Sequence, residues 1–234
     1  MSKDIKLTIH QPEHLPWLGL IDKISQADIF VVLDTVQYRK NYFQNRNKIR
    51  TSNGWQWLTV PIQDQSLKTP INRIKISYDR DWQKKYLKSL KLNYGRAKYF
   101  TQYYPKIEII INSSPKYLAD LNHRLLEQIL DWFKIRVRII KSSDLKLGNI
   151  KDGGSAVVLR HCQKLNCKYF LSGEYGKDYL HISDFEKAKI HVIFHHFKHP
   201  IYQQLYKPFL TGMSAVDLLF NNGPDSKKIL WGNR

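Results

Sequence analysis

KLTIHQPEHLPWLGLIDKISQADIFVVLDTVQY, residues 6–38, decides the fold class. Lys6 to His10 reads as a short buried strand, Pro16 fits the first turn of a helix running to about Ala27, and Ile29 to Leu33 is an apolar, β-rich run. Strand, loop, helix, strand is the opening unit of an α/β sheet. If the two strands are parallel neighbours, the loop opens at their carboxyl ends, where open α/β sheets place ligands. His10, Gln11, Glu13 and His14 lie on that loop, Trp17, Gly19 and Lys23 on the helix, and Asp34, Gln37 and Tyr38 leave the second strand at the same edge. Backbone amides and imidazoles at such a junction suit a phosphate. A histidine ending a strand can equally bond a neighbouring carbonyl, and His-Leu-Pro-Trp can simply cap a helix.

Outward from this unit, residues 57–62 and 71–77 read as two strands joined by the polar loop QDQSLKTP, a hairpin that would extend the sheet. Residues 43–50, FQNRNKIR, show no apolar periodicity, but Arg46, Asn47 and Lys48 offer a clamp for phosphate or carboxylate. Residues 81–133 read as mainly helical, broken near 93–95 and 113–115. Within them Trp82, Tyr86, Leu87, Leu90 and Tyr94 recur at helical spacing, and Ser114-Pro115 reads as the start of the last helix. Strand, helix and strand follow at about 136–140, 155–165 and 168–171. The last enters the loop SGEYG, whose Ser172 and Gly173 let backbone approach a ligand, with Tyr175 beside them. A further strand at 190–194 leads into HHFKHPIYQQ. The expectation is a mainly parallel, Rossmann-like α/β sheet with flanking helices, forming a single domain over 1–234 with a mostly helical insertion at about 81–133.

Thirty-eight Lys and Arg against twenty Asp and Glu leave a net charge of +18, which draws in anionic partners. Helix-turn-helix, zinc-finger and RNP signatures are absent, so nucleic acid ranks below an anionic small molecule such as a nucleotide sugar. The residues at 1–14 lack an apolar signal region and no apolar run approaches a membrane span, which points to the cytoplasm. Cys162 and Cys167 form neither a CxxC pair nor a zinc set and read as buried thiols. His195 or His199 with His10 and His14 would make a zinc site only with convergent geometry, so no metal ligands are assigned. Mg²⁺ held by Asp34, Glu13 or Asp217 with a bound phosphate fits better. Ser214 and Asp217 form an SxxD pair typical of a helix N-cap. No motif names a cofactor or an oligomeric state, although a nucleoside triphosphate with Mg²⁺ is compatible.

HQPEHLPWLGLIDKI (10–24), VVLDTVQY (31–38), FQNRNKIR (43–50) with WLTVPI (57–62), YFLSGEYGKDYL (169–180), HFKHPIYQQ (196–204) and MSAVDLLFNNG (213–223) resemble, in that order, the WbqC-like family of bacterial proteins. The resemblance implies a role among the products of surface polysaccharide (O-antigen) gene clusters, with attachment of glycine or a similar amine to a sugar. A more distant resemblance is to the HxGH nucleotidylyl transferases. Here the order of elements fits, but Pro12 and Glu13 separate His10 from His14 and the glycine arrives only at Gly19.

Together these readings give a transferase moving an amino-acid-like or acyl group onto an activated sugar. His10 would be the general base after a modest pKa adjustment, His14 would stabilise a phosphate or oxyanion, and Asp34 would orient His10 or a metal. Gln11, Trp17, Lys23, Gln37, Tyr38, Arg46, Asn47, Lys48, Ser172, Gly173, Tyr175, His199, Tyr202 and Gln203 would bind substrate. The alternatives are nucleotidylyl transfer or ATP-dependent carboxylate activation at the His10 loop, and a non-catalytic protein binding a polyanion or saccharide.

Overall fold

The computed structural model describes residues 4–63, 68–148 and 153–232. In chain order its regular elements are β1 (Lys6–His10), α1 (Leu18–Ser25), β2 (Ile29–Val32), β3 (Arg46–Thr51), β4 (Gly54–Thr59), α2 (Trp82–Tyr94), α3 (Phe100–Asn112), α4 (Leu118–Trp132), β5 (Arg138–Lys141), α5 (Gly153–Lys164), β6 (Tyr169–Ser172), α6 (Ile182–Lys187), β7 (His191–Phe194), α7 (Ala215–Asn222) and α8 (Ser226–Trp231). Five of the strands form one sheet in the order β5-β2-β1-β6-β7, and every pairing within it is parallel. The expected Rossmann-like α/β sheet is therefore what this chain forms. Counted along the chain, the strands lie third, second, first, fourth, fifth, so the strand order reverses between β1 and β6.

Two compact units share the chain. The sheet unit takes Met1–Gln11, Asp22–Thr35 and Arg136–Lys198, and the second takes Pro12–Ile21, Val36–Ile135 and His199–Arg234. In the sheet unit, all four residues of β2 (IFVV) are buried, as a central parallel strand covered on both faces requires. Leu7, Ile9, Val31, Val158, Phe170 and Phe185 pack together there with both cysteines, so Cys162 and Cys167 are core thiols.

In the second unit, α2 buries Trp82, Tyr86, Leu87, Leu90 and Tyr94, the stripe its spacing predicts. The hairpin, however, is not where the sequence reading puts it. β3 occupies part of the stretch read as irregular and pairs antiparallel with β4, while Ile71–Arg73 is a 3₁₀ turn. The cause is the turn ahead of Gly54, which sits at φ +128°, a conformation open to glycine. Only an isolated bridge, Ile62↔Ile76, remains of the expected pairing, and residues 64–67 lie outside the described residues. α4 likewise starts at Leu118 rather than at Pro115. Lys116 and Tyr117 are held extended by bonds from Ile76 N to Lys116 O (3.0 Å) and from Leu118 N to Ile74 O (2.9 Å). Among the described residues no helix is long and apolar enough to cross a membrane.

Candidate functional site in the sheet unit

Between β1 and β6 the crossovers leave in opposite directions, which opens a crevice at the carboxyl ends of these strands. Lys23 of α1 is placed there. It is 4% exposed, its Nζ donates to the Ile9 carbonyl at 3.2 Å, and it is the nearest atom, at 4.0 Å, to a Cβ built on Gly173. The backbone leaving β6 thus runs beside an ammonium, at a distance that a side chain at Gly173 would also tolerate. Ser172, which ends β6, is buried and its hydroxyl donates to the Gly173 carbonyl at 3.0 Å. A Cβ on Gly176 would fall 1.9 Å from the Ser172 oxygen, so the SGEYG turn holds this close path only with glycine there.

His10 ends β1. Its Nδ1–H donates to the Gln11 carbonyl at 2.9 Å, which leaves the lone pair of the neutral ring on Nε2. Burial, then the Lys23 charge, push its pKa down to about 3. The modest adjustment expected from the sequence is replaced by a large one, and His10 is neutral but a weak base at physiological pH.

A second histidine is better placed for proton transfer. His195 follows β7, its backbone N–H donates to the Ser172 carbonyl at 2.8 Å, and its Nε2 lies 2.6 Å from Oδ2 of Asp22. Asp22 is fully buried and also accepts from Gln26 Nε2 at 3.1 Å. With Nε2–H directed at the carboxylate, Nδ1 of His195 carries the lone pair, the arrangement that orients an imidazole base. The sequence reading weighs His195 only as a zinc ligand and passes over Asp22. The available signal was an acid beside a lysine within the apolar run LGLIDKI, a position that demands a buried partner.

The sequence reading has Asp34 orient His10 or a metal, and its hydrogen bonds run to neither His10 nor its loop. Its two carboxylate oxygens accept from Ser143 N (2.9 Å) and Ser143 Oγ (2.7 Å), so it caps the 3₁₀ turn that follows β5 rather than orienting His10. Tyr175 is 84% exposed. The crevice therefore gathers His10, Gln11, Lys23, Ser172 and Gly173 of the expected residues and adds Asp22 and His195.

The other expected residues belong to the second unit. His14 is fully buried, with Nδ1 3.0 Å from Asn122 Oδ1 and Nε2 2.6 Å from the Tyr86 hydroxyl. Since Asn122 Oδ1 only accepts, Nδ1 carries the proton and Tyr86 donates to Nε2. Both ring nitrogens are thus committed within the protein instead of to a phosphate. Trp17 packs its ring on Gly19, where a Cβ would come 2.3 Å from Cη2. Gln37 is exposed and bridges to Pro70, and the Tyr38 hydroxyl donates to Asn45 Oδ1 at 3.0 Å. Asn47 Nδ2 holds the carbonyls of His14 and Leu15 (3.2 and 2.8 Å) and so fixes the turn at Leu15, whose φ is +42°. The Arg46 guanidinium lies 4.2 Å from the centroid of Trp57, and Lys48 Nζ 4.3 Å from that of Trp55. His199 donates from Nδ1 to the Pro200 carbonyl at 2.8 Å and accepts from Gly212 N at 3.2 Å, and Gln203 is exposed. The Tyr202 hydroxyl donates to Asp217 at 2.7 Å. Ser214 does cap α7, accepting from Val216 N at 3.4 Å.

A family model described as the WbqC-like protein family matches residues 11–229. The chain belongs to this family. Over 227 residues this WbqC-like protein is 32% identical to the uncharacterized protein Rv1507c of Mycobacterium tuberculosis (strain ATCC 25618 / H37Rv), an alignment that covers 96% of this chain and 97% of the other. No solved structure matches.

Burial of His14 gives the WbqC-like chain a defined acid sensitivity. Its pKa is lowered from 6.5 to about 4, so between these values the unfolded chain binds more protons than the folded one. This contribution is complete above pH 6.5 and is lost as pH falls through about 4; a shift of this size corresponds to roughly 3 kcal/mol. Urea denaturation at pH 7 and pH 4.5 is expected to show a fall in stability that is smaller in His14→Gln than in the wild type.

Proposed function

We propose that this WbqC-like protein is a group transferase of surface polysaccharide or glycoconjugate synthesis, which binds the phosphate of an activated sugar at the carboxyl ends of β1 and β6. The observation that carries the reading is the buried Lys23 ammonium beside Gly173 at the point of strand reversal, a concentrated positive charge where this strand order receives phosphorylated ligands. Lys23 binds the phosphate, and the backbone leaving β6 lies alongside it. His195 Nδ1 takes the proton of the attacking amine or hydroxyl, and Asp22 stabilises the imidazolium that results. The group moved is amino-acid-like or acyl, with a glycyl thioester as the first donor to test: its acyl carbon bonds to the sugar amine or hydroxyl, and the thiolate leaves with the proton that His195 has taken. Family membership supports the sugar context, and the geometry supports the phosphate and the base.

Nucleotidylyl transfer or ATP-dependent activation is the second reading, favoured by the strand order alone. It draws no support from His14, whose nitrogens are bonded to Asn122 and Tyr86. Incubation of nucleotide sugars either with a glycyl thioester or with glycine, ATP and Mg²⁺, followed by mass spectrometry of the sugar and by pyrophosphate exchange, separates the two. A sugar heavier by one glycyl residue without exchange supports transfer from an activated donor. Exchange of labelled pyrophosphate into ATP supports activation on the protein.

A further inference from the structure

In the second unit, a cavity of about 710 Å³ runs between β4 and α2, a size that accommodates a small organic ligand. Its aromatic lining is Trp57, Trp82 and Tyr86. Trp82 and Tyr86 are buried and meet edge to face with centroids 5.7 Å apart, and Tyr86 is held by its hydroxyl bond to His14. Gln56 and Ser89, also in the lining, bond to each other at 2.5 Å and so tie the strand to the helix. Arg80 and Lys85 bring positive charge to the same cavity. Both are exposed, and among the described residues neither has an ion-pair partner. Asp79 is the lining acid, and its carboxylate accepts from Ser77 Oγ at 2.7 Å.

We propose that this cavity is a binding site for an acidic saccharide, a pyranose bearing one carboxylate. The half-buried indole of Trp57 packs against the C–H face of a sugar, while the amide of Gln56 and the hydroxyl of Ser89 match its hydroxyl groups. Two cations against one acid leave a single net positive charge in the lining. That balance suits one carboxylate and is too small for a nucleoside triphosphate. Stacked bases of a single-stranded nucleic acid need accessible ring faces in series. Here Trp82 and Tyr86 are buried at 85° to each other, and of the lining rings Trp57 alone is half-buried, which suits one sugar ring and not a run of bases. His14 and Asn122 acquire a purpose in this arrangement, since they fix the Tyr86 wall of the cavity. The site shares no residue with the β1/β6 crevice and does not depend on how that crevice is read.

The test is a calorimetric titration of the full-length protein with a galacturonic acid trisaccharide, with maltotriose, AMP and a short oligothymidylate as comparisons. Binding of the acidic trisaccharide is expected, weakened at least about tenfold in the double variant Arg80→Gln/Lys85→Gln, as for loss of hydrogen bonds to a charged group. Both positions are exposed, so an unchanged melting temperature in that variant shows that the fold is retained. Lys23→Met should bind the trisaccharide as the wild type does, which separates this site from the crevice. Equal affinity for maltotriose, tighter binding of oligothymidylate or AMP through Arg80 and Lys85, no binding of the trisaccharide, or an unaltered affinity in the double variant would each overturn the proposal.

Discussion

His195→Ala is expected to lower turnover by about 100-fold or more while leaving nucleotide-sugar affinity within a few-fold, the scale of a lost acid–base group. Two histidines at the ends of β1 and β7, the strands on either side of β6, have opposite surroundings. Burial, then the Lys23 charge, disfavour the protonated form of His10 and outweigh its Nδ1 bond to the Gln11 carbonyl, which leaves it with a pKa of about 3. His195 instead donates from Nε2 to the fully buried Asp22 at 2.6 Å, which fixes the ring and leaves Nδ1 as the acceptor. The loss at His10→Ala should therefore be smaller than at His195→Ala, and Asp22→Asn should resemble His195→Ala in kcat while sparing KM. Steady-state kinetics of the proposed transfer checks the order. A larger loss at His10 would return the base to β1.

Asp217→Ala carries the largest expected effect on stability, about 4 kcal/mol. The Asp217 carboxylate is wholly buried in the second unit and accepts from the Tyr94 hydroxyl (2.8 Å), the Tyr202 hydroxyl (2.7 Å) and Gln204 Nε2 (2.8 Å). Burial raises its pKa, and these donors, together with the Arg50 charge, act in the opposite direction. Truncation leaves three buried donors without their acceptor, each costing about 1–3 kcal/mol. It also removes the counter-charge from Arg50, which is 1% exposed and spans the Thr51, Gly54 and Pro208 carbonyls. A loss of that size is a large part of the roughly 5–15 kcal/mol that typically separates folded from unfolded states. Asp217→Asn keeps the volume and one acceptor and should cost less. Urea denaturation of the two variants measures both, and a loss under about 1 kcal/mol for Asp217→Ala would show that the network relaxes around the gap.

Much of the sheet was legible because β1, α1 and β2 follow each other locally, each with its own periodicity, although the helix begins at Leu18 rather than at Pro16 because Trp17 is held in a bridge to Ser214. The strand at Arg46–Thr51 was not, since its inward residues include Asn47 and the buried Arg50, and alternation of apolar residues therefore fails along it. Asn53-Gly54 was the overlooked turn signal. Of the site, Lys23, His10, Ser172 and Gly173 could be read because parallel strands place their carboxyl ends together. The Asp22–His195 pair could not, because it joins residues 173 apart in sequence and depends on β7 lying next to β6. His14 misled for the opposite reason. Its position in the loop resembles a phosphate ligand's, and only the tertiary structure supplies Asn122 and Tyr86 as its partners.

The most direct test of the switch-point reading is calorimetric titration of the wild type and Lys23→Met with nucleotide sugars, each variant first shown to melt cooperatively. Loss of a buried charge that contacts phosphate should weaken binding by at least about tenfold. Saturable binding in the wild type that falls by that factor in Lys23→Met is the predicted result. Binding of equal affinity in the two proteins would contradict the placement of the phosphate at the carboxyl ends of β1 and β6.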